Sequence, residues 1–248
     1  VLTRAAALAF GGFQERGLPL YRRAIELDPL NAEARMMLVS SCWLFEPALV
    51  VETGNDFLRL FGDYHEVHNY LAFAHERLGH NEKAREHYEK AIATSPPGEP
   101  NFEALLFGGI LLDELGEREG AEELWRKGVE ELEPRIEAYP DNPRMLLLLA
   151  CFHGLLGDQA AFAAAEKRGL EAGGPTTWTV HHVVAVHGRL GNSERVVELL
   201  SSGVERGRLP FNWRPFLDLA FAPPIESEGF EELVRADEAE ARRLREIY

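Results

Sequence analysis

Apolar residues along most of the chain recur every three or four positions, which is the spacing that places them on one face of an α-helix. Stretches rich in glycine and proline interrupt this pattern, for example at Asp28–Asn31, Ser95–Gly98 and Tyr139–Pro143. Proline cannot continue a helix, and glycine readily adopts the left-handed backbone that ends one. The pattern therefore predicts an all-α chain of helices joined by short turns.

Four of these predicted helices end in the same way. In each, a glycine closes the helix, polar residues follow, and a small or apolar residue stands five positions after the glycine. The glycines are Gly79, Gly116, Gly157 and Gly191, which lie 37, 41 and 34 residues apart. Because each interval has the length of two helices and their turns, we predict repeated antiparallel helix pairs.

The copy from His65 to Gly98 is the most regular, and its residues resemble the tetratricopeptide repeat family, whose unit is about 34 residues long. In that family, small residues let the two helices of a pair approach closely, an aromatic residue fills the remaining gap, and a proline ends the second helix. The residues of this chain that match those positions are Leu71, Ala72, Gly79, Ala84, Tyr88, Ala91 and Pro96.

The other copies match less completely. The N-terminal segment has only the second half of the motif, and the copy from Ala32 to Asp63 lacks the glycine and turns at Glu46-Pro47 instead. The copy at Phe102 has Gly128 where alanine is usual. In the last two copies, other residues replace the alanine and the aromatic residue, namely Phe162 and Glu166, then Val196 and Leu200.

The resemblance implies a right-handed superhelical solenoid of antiparallel helix pairs, about six in number, followed by a C-terminal capping helix. We expect the array to cover residues 1–210 and the remainder, 211–248, to form an aromatic, proline-rich segment and an amphipathic helix from Glu228 to about Ile247. The expected hairpins are at about 1–31, 32–64, 65–98, 102–138, 143–173 and 177–208.

The first helices of the pairs line a concave groove in this family. Transferring the family register to this chain predicts a groove that mixes apolar and acidic residues, which suits an apolar peptide or helix of another protein, with basic flanks. The predicted partner-binding residues are Met36, Trp43, Asn69, Phe73, Leu106, Ile110, Leu147 and His181. In an alternative interpretation, the aromatic segment 211–224 of the same chain folds back into the groove.

Charge and cysteine content narrow the choice of partners. With a net charge of -15, the chain repels phosphate backbones and anionic lipid, so we expect neither nucleic acid nor membrane as a partner. The longest apolar run, Met145–Phe152, is too short to span a bilayer. The two cysteines, Cys42 and Cys151, lie far apart inside apolar helical patterns, which predicts buried, reduced thiols and a cytoplasmic protein.

No set of residues with a recognisable catalytic spacing occurs, so the chain is not expected to be an enzyme or to hold a cofactor or metal. His181 and His182 are neighbours and point about 100° apart on a helix, which prevents them from chelating one ion from the same face. His65 and His68 are three positions apart, but no second pair near them completes a four-ligand set.

These observations favour a non-catalytic scaffold for protein–protein interaction. One alternative is a regulatory module of a larger signalling enzyme or transcription regulator, because Val1 falls inside the register of the first hairpin. Another is a repeat-fold enzyme or metal-dependent protein that uses the histidines. Exposed ends of the repeat array would also permit a homodimer.

Overall fold

The protein is described by a computed structural model that covers residues 14–43, 46–173, 177–205, 214–225 and 227–247. Within these ranges the regular elements are α-helices, and no strand occurs. The predicted all-α class is therefore confirmed. The first helix of the expected N-terminal hairpin and the aromatic residues at 206–213 lie outside the described residues.

The helices fall into two compact units, residues 1–115 and 116–248. The helices of the 1–115 unit are α1 (Gln14–Leu27), α2 (Ala32–Cys42), α3 (Pro47–Phe61), α4 (His65–Arg77), α5 (Asn81–Ala93) and α6 (Phe102–Glu114). Within this unit each helix packs against the next one along the chain, and α2 also contacts α4.

The helices of the 116–248 unit are α7 (Arg118–Ala138), α8 (Pro143–Leu156), α9 (Gln159–Gly173), α10 (Thr177–Arg189), α11 (Ser193–Glu205), α12 (Arg214–Leu219) and α13 (Glu228–Ile247). Helix α8 packs against α7, α9 and α10. Helix α7 runs through Pro134 without a break.

Glycine ends the first helix of several pairs as the sequence predicts. Gly79, Gly116, Gly157 and Gly191 have φ angles of 72°, 83°, 84° and 74°. This left-handed region is strained for residues with a Cβ atom, so glycine permits the sharp reversal into the following helix.

Asparagine begins three of these first helices. The side chains of Asn31, Asn101 and Asn142 accept hydrogen bonds from the backbone N–H groups of Ala34, Ala104 and Met145, at 2.8, 3.0 and 3.2 Å respectively. Each bond satisfies a backbone donor that has no partner within its own helix. The starts of α2, α6 and α8 are therefore defined locally.

The small and aromatic residues of the most regular repeat form the contact between α4 and α5. Ala72 of α4 and Ala84, Tyr88 and Ala91 of α5 are all buried. The alanines leave room for the two backbones to approach, and the Tyr88 ring fills the space beside them. This packing is the role that the family resemblance implies for these positions.

Gly128 in α7 has a structural reason for replacing the usual alanine. A Cβ atom at this position would lie 2.4 Å from Cζ of Phe152 in α8, well inside van der Waals contact. The Phe152 ring is fully buried and occupies the space that an alanine methyl group takes in the regular repeat. The two residues therefore compensate for each other.

We expect Gly128→Ala to destabilise the protein by about 1–3 kcal/mol through overpacking, although alanine is intrinsically the better helix former by about 1 kcal/mol. Urea denaturation measures the difference. The double variant Gly128→Ala/Phe152→Leu is expected to recover part of the loss because leucine vacates the space beside Cβ. A Gly128→Ala protein more stable than wild type would contradict this account of the contact.

The C-terminal helices lie against the last hairpin of the array. Helix α12 packs against α10, and α13, which spans the residues predicted for an amphipathic helix, packs against α11. At Gly188 of α10 a Cβ atom would lie 2.5 Å from Cδ2 of Leu217, and Arg189 Nη1 donates to the backbone oxygen of Ala220 at 3.0 Å. The tail thus covers one end of α10.

Candidate partner-binding surface

The side chains predicted to line the groove lie deeper than the prediction assumed. Seven of the eight are buried in the protein interior, and Met36 is half-buried against the cluster of Phe57, Val67 and Leu71. The buried seven are Trp43, Asn69, Phe73, Leu106, Ile110, Leu147 and His181. A partner could not contact these seven unless the surrounding side chains moved, so their part in binding stays a prediction.

Phe73 is the centre of an aromatic cluster in the 1–115 unit. Its ring centroid lies 4.8 Å from that of Trp43, 5.4 Å from that of Phe107 and 6.0 Å from that of Tyr88. Aromatic pairs at these separations stabilise each other beyond the area that they bury. Phe73 therefore holds α2, α4, α5 and α6 together rather than forming a free groove wall.

Asn69 and Glu103 connect α4 to α6. Asn69 Nδ2 donates to Glu103 Oε2 at 3.0 Å, and Asn69 is only 3 % exposed. Its Oδ1 atom is buried without a hydrogen-bond partner within the described structure. Among the predicted groove residues, Asn69 thus has a direct contact with an acidic side chain at the start of a neighbouring first helix.

A buried carboxyl group lies one helical turn from Phe73. Glu76 is 9 % exposed, and its Oε2 atom accepts a hydrogen bond of 2.8 Å from the Tyr88 hydroxyl. Burial raises the pKa of Glu76 to about 8, although the Tyr88 hydrogen bond opposes the shift. Glu76 is consequently protonated over much of the neutral range, because removing a carboxylate from water costs more than one hydroxyl donor returns.

In the 1–115 unit, the first-helix positions that the family register assigns to the concave groove are mainly acidic where they are accessible. Glu33 and Glu66 are exposed, and Glu103 is half-buried; each is the second residue of its helix. Further along the register, Asp113 is half-buried and Glu114 is exposed, while Arg77 is the one basic residue. The surface that a partner meets first in this unit therefore carries negative charge.

In the 116–248 unit, several of the corresponding positions are covered by the unit itself, although Arg144, the second residue of α8, is exposed. A Cβ atom at Gly169 of α9 would lie 2.7 Å from Cγ of Leu147, so α8 and α9 are in close contact there. Gly188 and Arg189, the last register positions of α10, contact Leu217 and Ala220 of the tail. The described part of the tail thus contacts the C-terminal end of α10, and occupancy of the groove by the segment 211–224 stays a prediction.

A buried ion-pair cluster joins α9, α10 and α11 in the same unit. Glu166 Oε1 accepts from Arg195 Nη2 at 2.8 Å and from Nε at 3.0 Å, while Oε2 lies 3.2 Å from His187 Nε2. Burial alone would raise the pKa of Glu166, but the hydrogen bonds and charges of His187 and Arg195 outweigh it and lower the pKa. This cluster occupies the position of an alanine–aromatic contact in the regular repeat, so its role is structural.

Four histidines meet between α4 and α5, and only His68 among them belongs to a histidine pair considered from the sequence, with His65. His68 and His75 are seven residues apart on α4, and His80 and His87 are seven apart at and after the start of α5. A spacing of seven residues places both members of a pair on one helix face. This spacing is the feature of the sequence from which the cluster could have been predicted. The cluster lies away from the predicted groove positions.

Neither cysteine is suited to nucleophilic chemistry. Cys42 and Cys151 are both free and buried. Burial raises the pKa of Cys42 to about 12, and burial together with the Glu166 charge also raises the pKa of Cys151. Because the thiolate is the reactive form, both thiols are inert at neutral pH, as expected for structural cysteines.

Among the described residues, no group of three or more His, Cys, Asp and Glu side chains is arranged to hold a metal ion. In the same part of the chain, no helix is both long and apolar enough to cross a bilayer.

Comparison with known families identifies the α4–α5 pair. The tetratricopeptide repeat profile matches residues 65–97, which are the residues whose packing is described above. Residues 65–97 therefore have the sequence of a tetratricopeptide repeat. No curated protein sequence matches the chain.

Several solved structures are similar to this chain. The structure of pilF from Pseudomonas aeruginosa is 14% identical, with a TM-score of 0.51, over 87% of this chain and 94% of that one. PilW, described as a widely conserved type IV pilus biogenesis factor, is 19% identical over 87% of this chain and 96% of that one, with a TM-score of 0.47. MamA is 20% identical over 68% of this chain and 93% of that one, with a TM-score of 0.45. At these identities, the first similarity supports a tetratricopeptide-like helical fold and nothing finer.

Proposed function

We propose that this protein is a non-catalytic scaffold that binds a peptide or helix of another protein on the first-helix side of its 1–115 unit. The observation that carries the proposal is the acidic, accessible register formed by Glu33, Glu66 and Glu103. In the neighbouring unit, by contrast, the chain's own tail contacts the last register positions of α10. A cytoplasmic location remains part of this proposal and is supported by the two free cysteines.

Charge indicates the kind of partner. Neighbouring packed helices lie on the order of 8–10 Å apart, and α2, α4 and α6 each begin with a carboxylate at the second position. A segment with lysine or arginine at a comparable spacing would complement this row, and apolar side chains between them would contact half-buried residues such as Met36. We therefore expect an apolar segment with basic residues.

The test is affinity capture from the native cell with three versions of the protein. In Glu33→Lys/Glu66→Lys, two exposed carboxylates of the row are reversed. The control, Glu82→Lys/Glu119→Lys, makes the same charge change at two exposed first-turn glutamates of the second helices α5 and α7. All four residues have the same favourable position relative to the helix dipole, so the two variants match in their effect on helix stability.

We expect a specific partner to be retained by wild type and control and to bind the Glu33→Lys/Glu66→Lys variant roughly tenfold or more weakly, because like charges oppose association. Equal retention by all three proteins would exclude this face as the binding surface. If both variants lost the partner equally, the loss would be an effect of net charge alone, and this result would also contradict the proposal.

A further inference from the structure

The histidine cluster consists of His68 and His75 on α4, His80 immediately before α5, and His87 in α5. His68 is 1 % exposed and His75 is buried, whereas His87 is half-buried and His80 is exposed. Because α4 and α5 are antiparallel, the two histidines of one helix meet the two of the other. The cluster thus connects the helices of the most regular repeat at two places along their length, through His68 with His87 and through His75 with His80.

The rings are in direct contact. Nδ1 of His68 lies 3.0 Å from Nδ1 of His87, and Nδ1 of His75 lies 3.4 Å from Nδ1 of His80. The rings of His75 and His87 stack with an interplanar angle of 10° and centroids 5.4 Å apart. An N–H···N hydrogen bond needs one protonated and one unprotonated nitrogen, so each bonded pair requires at least one neutral imidazole.

Burial favours the neutral state of the cluster, whereas the surrounding charges act in both directions. Asp63, in the turn before α4, is the nearest acid, with Oδ1 3.3 Å from His68 Nε2, and Glu86 also acts on His75. Lys83 and Lys90 of α5 oppose these acids. Burial, the neighbouring histidines and the two lysines lower the pKa of His87 to about 3. Burial also lowers the pKa values of His68 and His75, and the acids compensate only in part.

We propose that these four histidines form an acid-sensitive latch, in which neutral rings hold α4 against α5 and protonated rings release it. Two positively charged imidazoles 3 Å apart lose their hydrogen bond and repel each other, and the stacked ring adds a third charge. Helix α4 also carries Glu66 and Asn69, so release of the latch changes the proposed partner-binding face. That last consequence rests on the proposed function, whereas the latch itself does not.

The sign of the pH effect follows from the lowered pKa values. An opened hairpin exposes histidines with the ordinary pKa of about 6.5, so it binds more protons than the closed hairpin at mildly acidic pH. The contribution of the cluster is therefore complete above about pH 6.5 and is lost as the pH falls. Glu76 acts in the opposite sense, because its raised pKa lets the closed form keep a proton that the open form releases.

The test compares two proteins that share Glu76, wild type and His87→Gln. Glutamine keeps an amide N–H donor for His68 Nδ1 but does not titrate. Amide hydrogen exchange, corrected for intrinsic rates, gives the opening constant of α4 and α5 at pH 7 and pH 5, with α7, which contains no histidine, as internal reference. Between these pH values we expect the constant to rise about 30-fold more in wild type than in the variant.

Changes in the two opening constants that agree within about threefold would overturn the latch, since uptake of one proton on opening changes the constant by up to about tenfold per pH unit. Should His87→Gln fail to fold, NMR titration of the wild-type histidine ring protons decides instead. Midpoints below the ordinary value of about 6.5 for His68, His75 and His87 support the latch, and midpoints at or above that value overturn it. Stoichiometric retention of added Zn²⁺ at pH 7, with loss of these ring signals, would also overturn it in favour of a metal site. Either failure leaves the Glu33 and Glu66 experiment unaffected.

Discussion

Replacing Phe73 by alanine is expected to destabilise the protein by about 3–5 kcal/mol, a large share of the stability of an ordinary domain. The ring is fully buried and contacts Trp43, Tyr88 and Phe107 at centroid distances between 4.8 and 6.0 Å. Alanine would leave a cavity bordered by three aromatic rings whose positions are set by four helices, so little collapse can compensate. Urea denaturation followed by tryptophan fluorescence measures the loss.

The matched control for this substitution is Tyr64→Ala. Tyr64 belongs to the same unit and also contacts an aromatic ring, that of Phe57 at 6.0 Å, but it is 42 % exposed. Its replacement is expected to cost less than about 1 kcal/mol. If the two variants lost similar stability, Phe73 would not be the packing centre that its contacts indicate. The expectation also means that loss of partner binding in Phe73→Ala reports on folding and not on a groove contact.

Arg195→Met is the second substitution expected to have a large effect, also about 3–5 kcal/mol of destabilisation. Methionine keeps much of the side-chain volume but leaves the buried Glu166 carboxylate with only His187 as a partner. The pKa of Glu166, now held low by Arg195 and His187, should rise. The loss should therefore shrink as the pH falls and the carboxyl group takes up a proton.

Two companion variants test this interpretation. Glu166→Gln/Arg195→Met removes the buried carboxylate that Arg195→Met leaves without its arginine partner, and it is expected to recover a substantial part of the stability. Arg126→Met breaks an ion pair with Glu122 on the exposed face of α7 and is expected to cost far less stability than Arg195→Met, since water solvates both charges there. A double variant no more stable than Arg195→Met would show that the ion pair is not the origin of the effect.

The apolar composition of whole helices indicated that the predicted groove residues would be buried, although their positions in the repeat register indicated exposure. Helix α6 reads Phe-Glu-Ala-Leu-Leu-Phe-Gly-Gly-Ile-Leu-Leu and is apolar on all sides, and its residues Ala104 to Leu111 are all buried. A helix that is apolar all round is surrounded by protein rather than facing solvent on one side. Leu106 and Ile110 belong to this run, and Leu147 lies in a similar run in α8. Composition of the whole helix was thus a better guide to exposure than register.

Other features of the site had weaker signals. Glu166 stands where the regular repeat has a small or aromatic residue, and a charged residue at such a position indicates a buried partner elsewhere in the chain. The partner itself, Arg195, is 29 residues away and belongs to a different helix pair. Nothing in the local pattern distinguishes it from the other arginines, because pairing across helices depends on how those helices pack.

The sequence by itself determined the all-α class, the glycines that turn one helix into the next and the family of the α4–α5 repeat. These features depend on backbone preferences and on side chains a few positions apart, which act within one helix or one turn. Only the tertiary structure decided that Phe73 is interior, that Glu166 has Arg195 and His187 as partners and that four histidines meet between α4 and α5. Each of these depends on side chains brought together from separate helices, and their exposure and charge are set by what the neighbouring helices place beside them.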